Sequence, residues 1–214
     1  MTAPAARRRP GPLVRGLGRA VNTAVTSVPW AWPLLRAPVR RFFDSAATGW
    51  NERVRPDTTE YLQPLMAALE HLPTSPGRIL DIGTGTGAAA VALANRYPGS
   101  DVLGIDVSAR MIAHAQARIE NRRGRVRFLE ADITAFADDE GFDLVTMLNM
   151  PPFFDRVVSL LKPAGIVLNA SSHGPRTPFF TPPVVLKRGF EHRGLRTIAA
   201  TQAGPGTYYL AGRP

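Results

Sequence analysis

The sequence predicts an α/β fold: a doubly wound, mostly parallel seven-stranded sheet with helices on both faces and a C-terminal antiparallel hairpin. Three observations predict it. Between residues 79 and 161, strand-like apolar runs alternate with helix-like runs over short connections, which builds parallel strands covered by helices on both faces. The run Ile79-Leu80-Asp81-Ile82-Gly83-Thr84-Gly85-Thr86-Gly87 passes from a strand through three alternate glycines into the helix-like Ala88-Ala89-Ala90-Val91-Ala92-Leu93-Ala94. Near the end, residues 195–201 and 207–211 read as two strands joined by Gly204-Pro205-Gly206.

Residues 1–12 are rich in Pro, Ala and Arg and predict a disordered tail. Residues 13–43 mix apolar side chains with arginine, carry no acid before Asp44, and contain Pro29, Pro33 and Pro38, which forbid one long helix. Residues 1–41 are therefore set apart as a basic, partly disordered arm ahead of a single domain over 42–214. Trp30, Trp32, Leu34, Leu35, Arg36, Arg40 and Arg41 fit either a segment that touches a membrane surface or caps a substrate, or an arm whose tryptophans pack on the domain. Asp57-Thr58-Thr59-Glu60 has capping-box spacing, and Tyr61, Leu62, Leu65, Met66, Leu69 and Leu72 follow at helical spacing as core.

After the first strand comes a helix over 87–96. The second strand, Val102-Leu103-Gly104-Ile105, ends at Asp106, and a helix over 108–121 follows, with Ser108 as N-cap and Met111, Ile112, Ala115 and Ile119 inward. A third strand over 126–131 ends at Asp132, and a fourth over 142–148 ends at Asn149. The helix around 153–161 meets a stop signal in Lys162-Pro163-Ala164-Gly165, and residues 166–170 form the fifth strand. A Pro-rich loop, a helix over 183–193 and the final hairpin complete the chain. On its last strand Tyr208 and Tyr209 alternate, so only one is expected to face the core.

Charge is divided unevenly. The chain of 214 residues carries +9, but residues 1–56 hold ten arginines against Asp44 and Glu52, while residues 57–214 hold sixteen basic and fifteen acidic side chains. Basicity is thus an N-terminal property. The near-neutral body argues against a nucleic-acid partner, which calls for a basic binding face. No cysteine is present, which excludes disulfides and thiolate metal sites and fits a cytoplasmic protein. No apolar run reaches the ~18 residues of a membrane span. No histidine/carboxylate cluster has metal-ligand spacing, so no metal is expected.

A strand that turns sharply into a helix brings backbone N–H groups and a positive dipole end to the sheet's carboxyl edge, and glycine lets a ligand approach the backbone. A nucleotide-like cofactor is expected over residues 81–87. The turn alone also satisfies a loose dinucleotide fingerprint. With Asp106, Asp132 and Asn149 at successive strand ends, however, the series resembles the class I S-adenosylmethionine-dependent methyltransferases over residues 42–214. The terminal hairpin disfavours a nicotinamide-binding domain.

The resemblance implies S-adenosyl-L-methionine as cofactor. It implies backbone contacts from the turn of Gly83, Thr84, Gly85 and Gly87 to the methionine part, with Asp81 near its ammonium group. Asp106 would take both ribose hydroxyls, Val107 and Met111 would line the adenine, and Asp132 would accept from its amine with backbone at Ile133 alongside. It implies further that residues 42–53 fold over the cofactor as a helix, with Phe43 and Trp50 capping the pocket and Arg53 meeting the cofactor carboxylate. Asn149 would lie near the methionine tail.

Asn149-Met150-Pro151-Pro152-Phe153 resembles the Asn-Pro-Pro-aromatic motif of amino methyltransferases, but Met150 puts the asparagine one residue out of register, which speaks against base-amine methylation. His173, just past the fifth strand, is the candidate general base. Phe179 and Phe180 could wall an apolar acceptor pocket. Methyl transfer is an in-line displacement in which the enzyme mostly aligns the reactants and excludes water. The expected function is methyl transfer to a small, partly apolar acceptor, with a nucleic-acid or protein methyltransferase and a noncatalytic cofactor-binding module as alternatives.

Overall fold

The computed structural model describes residues 12–119 and 125–213. The expected tail over 1–12 lies almost wholly outside the described residues, as does the end of the helix expected over 108–121. Strands β1 (Arg78–Ile82), β2 (Asp101–Asp106), β3 (Val126–Glu130), β4 (Phe142–Leu148), β5 (Leu161–Ser171), β6 (Arg196–Ala203) and β7 (Gly206–Gly212) form one sheet in the order β3-β2-β1-β4-β5-β7-β6. The first five run parallel, and β7 pairs antiparallel with both β5 and β6. The expected fold class is the observed one.

Helices α4 (Thr59–Leu69), α5 (Ala88–Arg96) and α6 (Ala109–Ile119) contribute to one apolar layer, which includes Leu65, Leu93, Ile112, Leu144, Leu168 and Tyr208. The opposite layer takes α1 (Pro12–Ser27), α2 (Trp32–Ala46), α7 (Phe154–Ser159) and α8 (Pro183–Glu191), and is centred on Leu80, Val145, Val167, Phe190 and Tyr209. Consecutive strand residues such as Leu144 and Val145 fall in opposite layers, as a pleat with period two requires. A strand covered on both faces has no polar side, so these strands read as continuous apolar runs.

That geometry corrects the expectation for the last strand. Tyr208 and Tyr209 are both buried, on opposite faces: Tyr209 stacks on Phe190, and Tyr208 meets His71, whose Nε2 lies 2.7 Å from its hydroxyl. Lys162-Pro163-Ala164-Gly165 also differs from expectation. It does end a helix, which closes at Ser159, but it lies inside β5, whose Leu161 already pairs with Phe142 across a register irregularity. The N-cap of α4 is Thr58, whose Oγ1 accepts from Tyr61 N, while Asp57 pairs with Arg118 at 2.5 Å.

From Pro12 to Val54 the described residues are largely helical. Pro29 and Pro33 sit where α1 gives way to α2, but Pro38 lies inside α2. Proline there removes the donor to the Leu34 carbonyl, and Leu34 is exposed to water that can replace it. α2 spans residues 32–46, so the expected boundary at residue 41 falls inside a helix. Val21, Val25 and Trp32 are buried in the same apolar layer as Phe153 and Leu186. A separate helix α3 (Trp50–Val54) follows a break at Gly49, whose φ of 66° belongs to the left-handed region, so residues 42–53 are two helical pieces rather than one.

Candidate active site

The strand order reverses between β1 and β4, and open parallel sheets bind ligands at the carboxyl ends of the strands flanking such a switch. Here that point opens into a cavity of about 1070 Å³. Its floor is the turn after β1. Gly83 N and Thr84 N donate to the Ile105 carbonyl at 2.8 and 3.0 Å, and Gly85 N donates to Asp106 Oδ2 at 2.9 Å, so the turn is pinned to the neighbouring strand. Gly85 has φ of 54° and nothing within 4 Å of where a Cβ would stand, so bare backbone faces open space. Gly83 is needed for another reason: a Cβ there would strike the Met150 side chain.

Asp81 is buried at the end of β1, where Oδ1 accepts from Thr146 Oγ1 at 2.8 Å. Its Oδ2 has no hydrogen-bond partner, and neither does the buried Thr84 Oγ1. Burial pushes the Asp81 carboxyl up to about 6, partly offset by the nearby Thr84 and Thr146 hydroxyls. An anion with an orphaned oxygen at a cavity wall is a site for a cation, and the amino group of an amino-acid moiety supplies one. Asp106 at the end of β2 is likewise raised to about 6 by burial, although its Oδ1 accepts from Ser108 N and its Oδ2 from Gly85 N. Each of its oxygens keeps a lone pair for a ligand hydroxyl.

Of the residues singled out in the sequence, Arg53, Asp81, Gly83, Thr84, Gly85, Asp106, Val107, Met111, Ile133, Asn149 and His173 line this single cavity. Gly87 and Asp132 do not. Gly87 is the N-cap of α5, where a Cβ would collide with Phe128. The Asp132 carboxylate is taken by the N-terminal helices: Trp32 Nε1 donates to its two oxygens at 3.0 and 3.2 Å, and Arg36 to Oδ2 at 3.1 Å. Burial alone would raise this carboxyl, but hydrogen bonds from Thr134 N, Trp32 and Arg36 outweigh it and hold it below the usual range. Arg53 donates to the carbonyls of Ala46, the last residue of α2, and of Thr48. Asn149, at φ of 60°, donates to Tyr61 Oη at 2.7 Å and Ser172 Oγ at 3.0 Å and accepts from Ser172 N, so both amide hydrogens and one Oδ1 lone pair are engaged within the protein.

Much of the remaining wall is apolar, although Arg15, Arg19, Arg55, Glu60 and Arg176 also line it. Trp32 meets Phe153 edge-on at 5.0 Å, Phe43 lies 5.8 Å from Trp50 and 6.1 Å from Phe179, and Leu35 and Val39 extend the lining. His173 faces Tyr61 edge-on at 6.3 Å. Tyr61 is the member of the site that the sequence hid, because helical spacing marks it as core and nothing in the chain marks its hydroxyl as the partner of Asn149. The helices over the cavity are tied down from several sides. Asn22 bridges the Phe180 carbonyl and Thr181 Oγ1, and Asp44 accepts from Ser108 Oγ at 2.6 Å at the start of α6.

Residues 79–165 match the family described as the methyltransferase domain. Over 77 residues the chain is 47% identical to the demethylmenaquinone methyltransferase of Thermus thermophilus, a stretch covering 36% of this chain and 35% of that protein. Over 113 residues it is 37% identical to the release factor glutamine methyltransferase of Haemophilus influenzae, covering 47% and 37%. The chain thus spans little more than a third of the length of these curated relatives. In fold it is similar to the plantazolicin methyltransferase BpumL solved with S-adenosylhomocysteine, at TM-score 0.62, 12% identity, and coverage of 94% of this chain and 98% of that one. It is similar also to the N-methyltransferase NodS of Bradyrhizobium japonicum, at TM-score 0.60, 20% identity, and coverage of 74% and 99%. The matched segment carries the glycine turn, Asp81 and Asp106, and the match supports S-adenosyl-L-methionine as the cofactor.

Proposed function

We propose that this chain, a class I S-adenosylmethionine-dependent methyltransferase with a Rossmann-like fold, transfers a methyl group to a small, largely apolar acceptor held beneath α1 and α2. The observation that carries this reading is the size and lining of the cavity. About 1070 Å³ lies at the top of the ~300–1,000 Å³ range of ligand pockets. The glycine turn, Asp81 and Asp106 account for one end only. Trp32, Leu35, Val39, Phe43, Phe153 and Phe179 line the cavity as well and offer an acceptor apolar surface.

When bound, the cofactor supplies an electrophilic methyl group that the acceptor's lone pair takes as the carbon–sulfur bond breaks to a neutral thioether. The chain's own residues do the rest. The orphaned Asp81 oxygen offers a counter-charge for the cofactor's ammonium group, Asp106 offers acceptors for sugar hydroxyls, and the aromatic wall excludes water and limits how the acceptor can lie. His173, which lines the cavity, would take the proton if the acceptor attacks in protonated form.

The second reading is methyl transfer to a protein or nucleic acid, which the similarity to release factor glutamine methyltransferases favours. The Asn149 region speaks against it here: Met150 separates the asparagine from the prolines, and the asparagine amide is engaged by Tyr61 and Ser172. The test is to incubate the full chain with methyl-tritiated cofactor and whole-cell extract, then separate solvent-extractable small molecules from acid-precipitable macromolecules. Label in the extractable fraction, reduced by Phe43→Ala, supports the apolar acceptor. Label confined to precipitated protein or RNA overturns it in favour of the second reading.

A further inference from the structure

The hairpin of α1 and α2 has a buried face and an exposed one of unusual composition. Val21, Asn22, Val25 and Trp32 fix it to the domain. On the outside, Trp30 is 77%, Leu34 74% and Leu17 58% exposed, with Phe42 also open to solvent. Single exposed apolar residues need no explanation, but a tryptophan and a leucine four residues apart, both nearly bare, leave a sizeable apolar patch in water. The charged residues of the hairpin up to Phe43 are all arginine, and Arg40 also pairs with Asp44 just beyond it. Residues 12–43 contain Arg15, Arg19, Arg36, Arg40 and Arg41 and no acidic residue. Arg36 and Arg40 are held by Asp132 and Glu130 of the domain, whereas Arg19 donates to the Pro175 carbonyl and Arg41 has no ion pair among the described residues.

Two of the exposed residues, Leu17 and Phe42, also line the cavity, so its mouth lies on the face that carries the patch. An amphipathic helical surface with Trp and Leu on one side and arginine interspersed is the composition that settles into the headgroup region of an anionic bilayer. An uncharged apolar partner would match the patch but leave Arg41 without a counter-charge.

We propose that the α1–α2 hairpin docks on an anionic lipid bilayer, with Trp30 and Leu34 entering the interface, and that the cavity opens onto the docked face so that an apolar acceptor can pass directly from lipid to site. The passage of the acceptor rests on the function proposed above; the docking does not.

The experiment measures docking alone, with no methyl transfer. The full chain is floated with vesicles of phosphatidylcholine containing a third phosphatidylglycerol, and with phosphatidylcholine alone. Binding to the anionic vesicles only, weakened about tenfold or more by Trp30→Ala combined with Leu34→Ala and about fivefold by Arg41→Ser, is the expected result. Calorimetric affinity for S-adenosylhomocysteine stays unchanged in these variants, showing that they fold. Tryptophan emission shifts to the blue with anionic vesicles, and Trp30→Phe abolishes the shift. No binding to anionic vesicles overturns the proposal, and so does binding indifferent to Trp30 and Leu34. Self-association in solution that the double variant abolishes would overturn it by assigning the patch to a second copy. Docking observed together with label found only in protein would retain the surface and reject the apolar acceptor.

Discussion

The turn after β1 and the α1–α2 hairpin border the same cavity and are built on opposite rules. The turn is made of backbone: its N–H groups are pinned to Ile105 and Asp106, its glycine faces open space, and the side chains beneath it are buried. The hairpin is made of side chains. Trp32 and Asn22 reach to residues a hundred or more positions away, Val21 is buried in the same apolar layer, and helix backbone contributes little to where the hairpin sits. The turn presents backbone groups set within a few residues of one another, whereas the hairpin is set by side-chain contacts with distant parts of the chain.

The most disruptive way to probe the contrast is Trp32→Ala. It removes a buried indole, its edge contact with Phe153 and its bond to Asp132, and should cost about 3–5 kcal/mol of unfolding free energy in urea titrations. If the loss is under about 1 kcal/mol, the hairpin is not held by this anchor. Asp106→Ala attacks the other side. Losing the ligand contacts and the bond to Gly85 N should weaken S-adenosylhomocysteine binding by about 1.5–3 kcal/mol, tenfold or more by calorimetry.

Acidity sharpens the comparison further. Asp81 has its folded pKa raised to about 6, above the ~3.9 of an unfolded carboxyl. The folded chain therefore holds this proton more tightly, and the contribution of Asp81 to stability is greatest below about pH 4, declines from about 4 to 6, and is level above. Ligand binding follows the ionised form. Through Asp81 alone, affinity for S-adenosylhomocysteine should fall by up to about tenfold from pH 7.5 to 5, and Asp81→Asn should remove that share at a lower affinity while leaving the part carried by Asp106, also raised to about 6. The smallest effect expected is that of Arg36→Ala. Its ion pair with Asp132 is half-exposed on the arginine side, so screening should keep the change in unfolding free energy below about 1 kcal/mol, against the several of Trp32→Ala.

The parts legible in the sequence are those set by local chemistry. The glycine turn, the strand-ending Asp81 and Asp106, and the Ser108 cap that accepts from Met111 N at 3.1 Å all stand where the sequence places them, because strand length, φ and capping are decided within a few residues. Short-range signals misled where a long-range partner outweighed them. The Pro-Ala-Gly stretch at 163–165 enters a strand because β4 lies beside it, and both tyrosines of β7 are buried because helices cover both faces.

By itself, then, the sequence determined the α/β architecture, the position of the cofactor turn and the concentration of positive charge at the N-terminus, each of which follows from residue type and spacing. The tertiary structure alone decided that Trp32 and Arg36 would hold Asp132, that Tyr61 would meet Asn149, and that Leu17 and Phe42 would share the cavity mouth. The reason is physical. These residues lie far apart along the chain, and their contacts exist only once burial of the apolar layers has brought the helices onto the sheet.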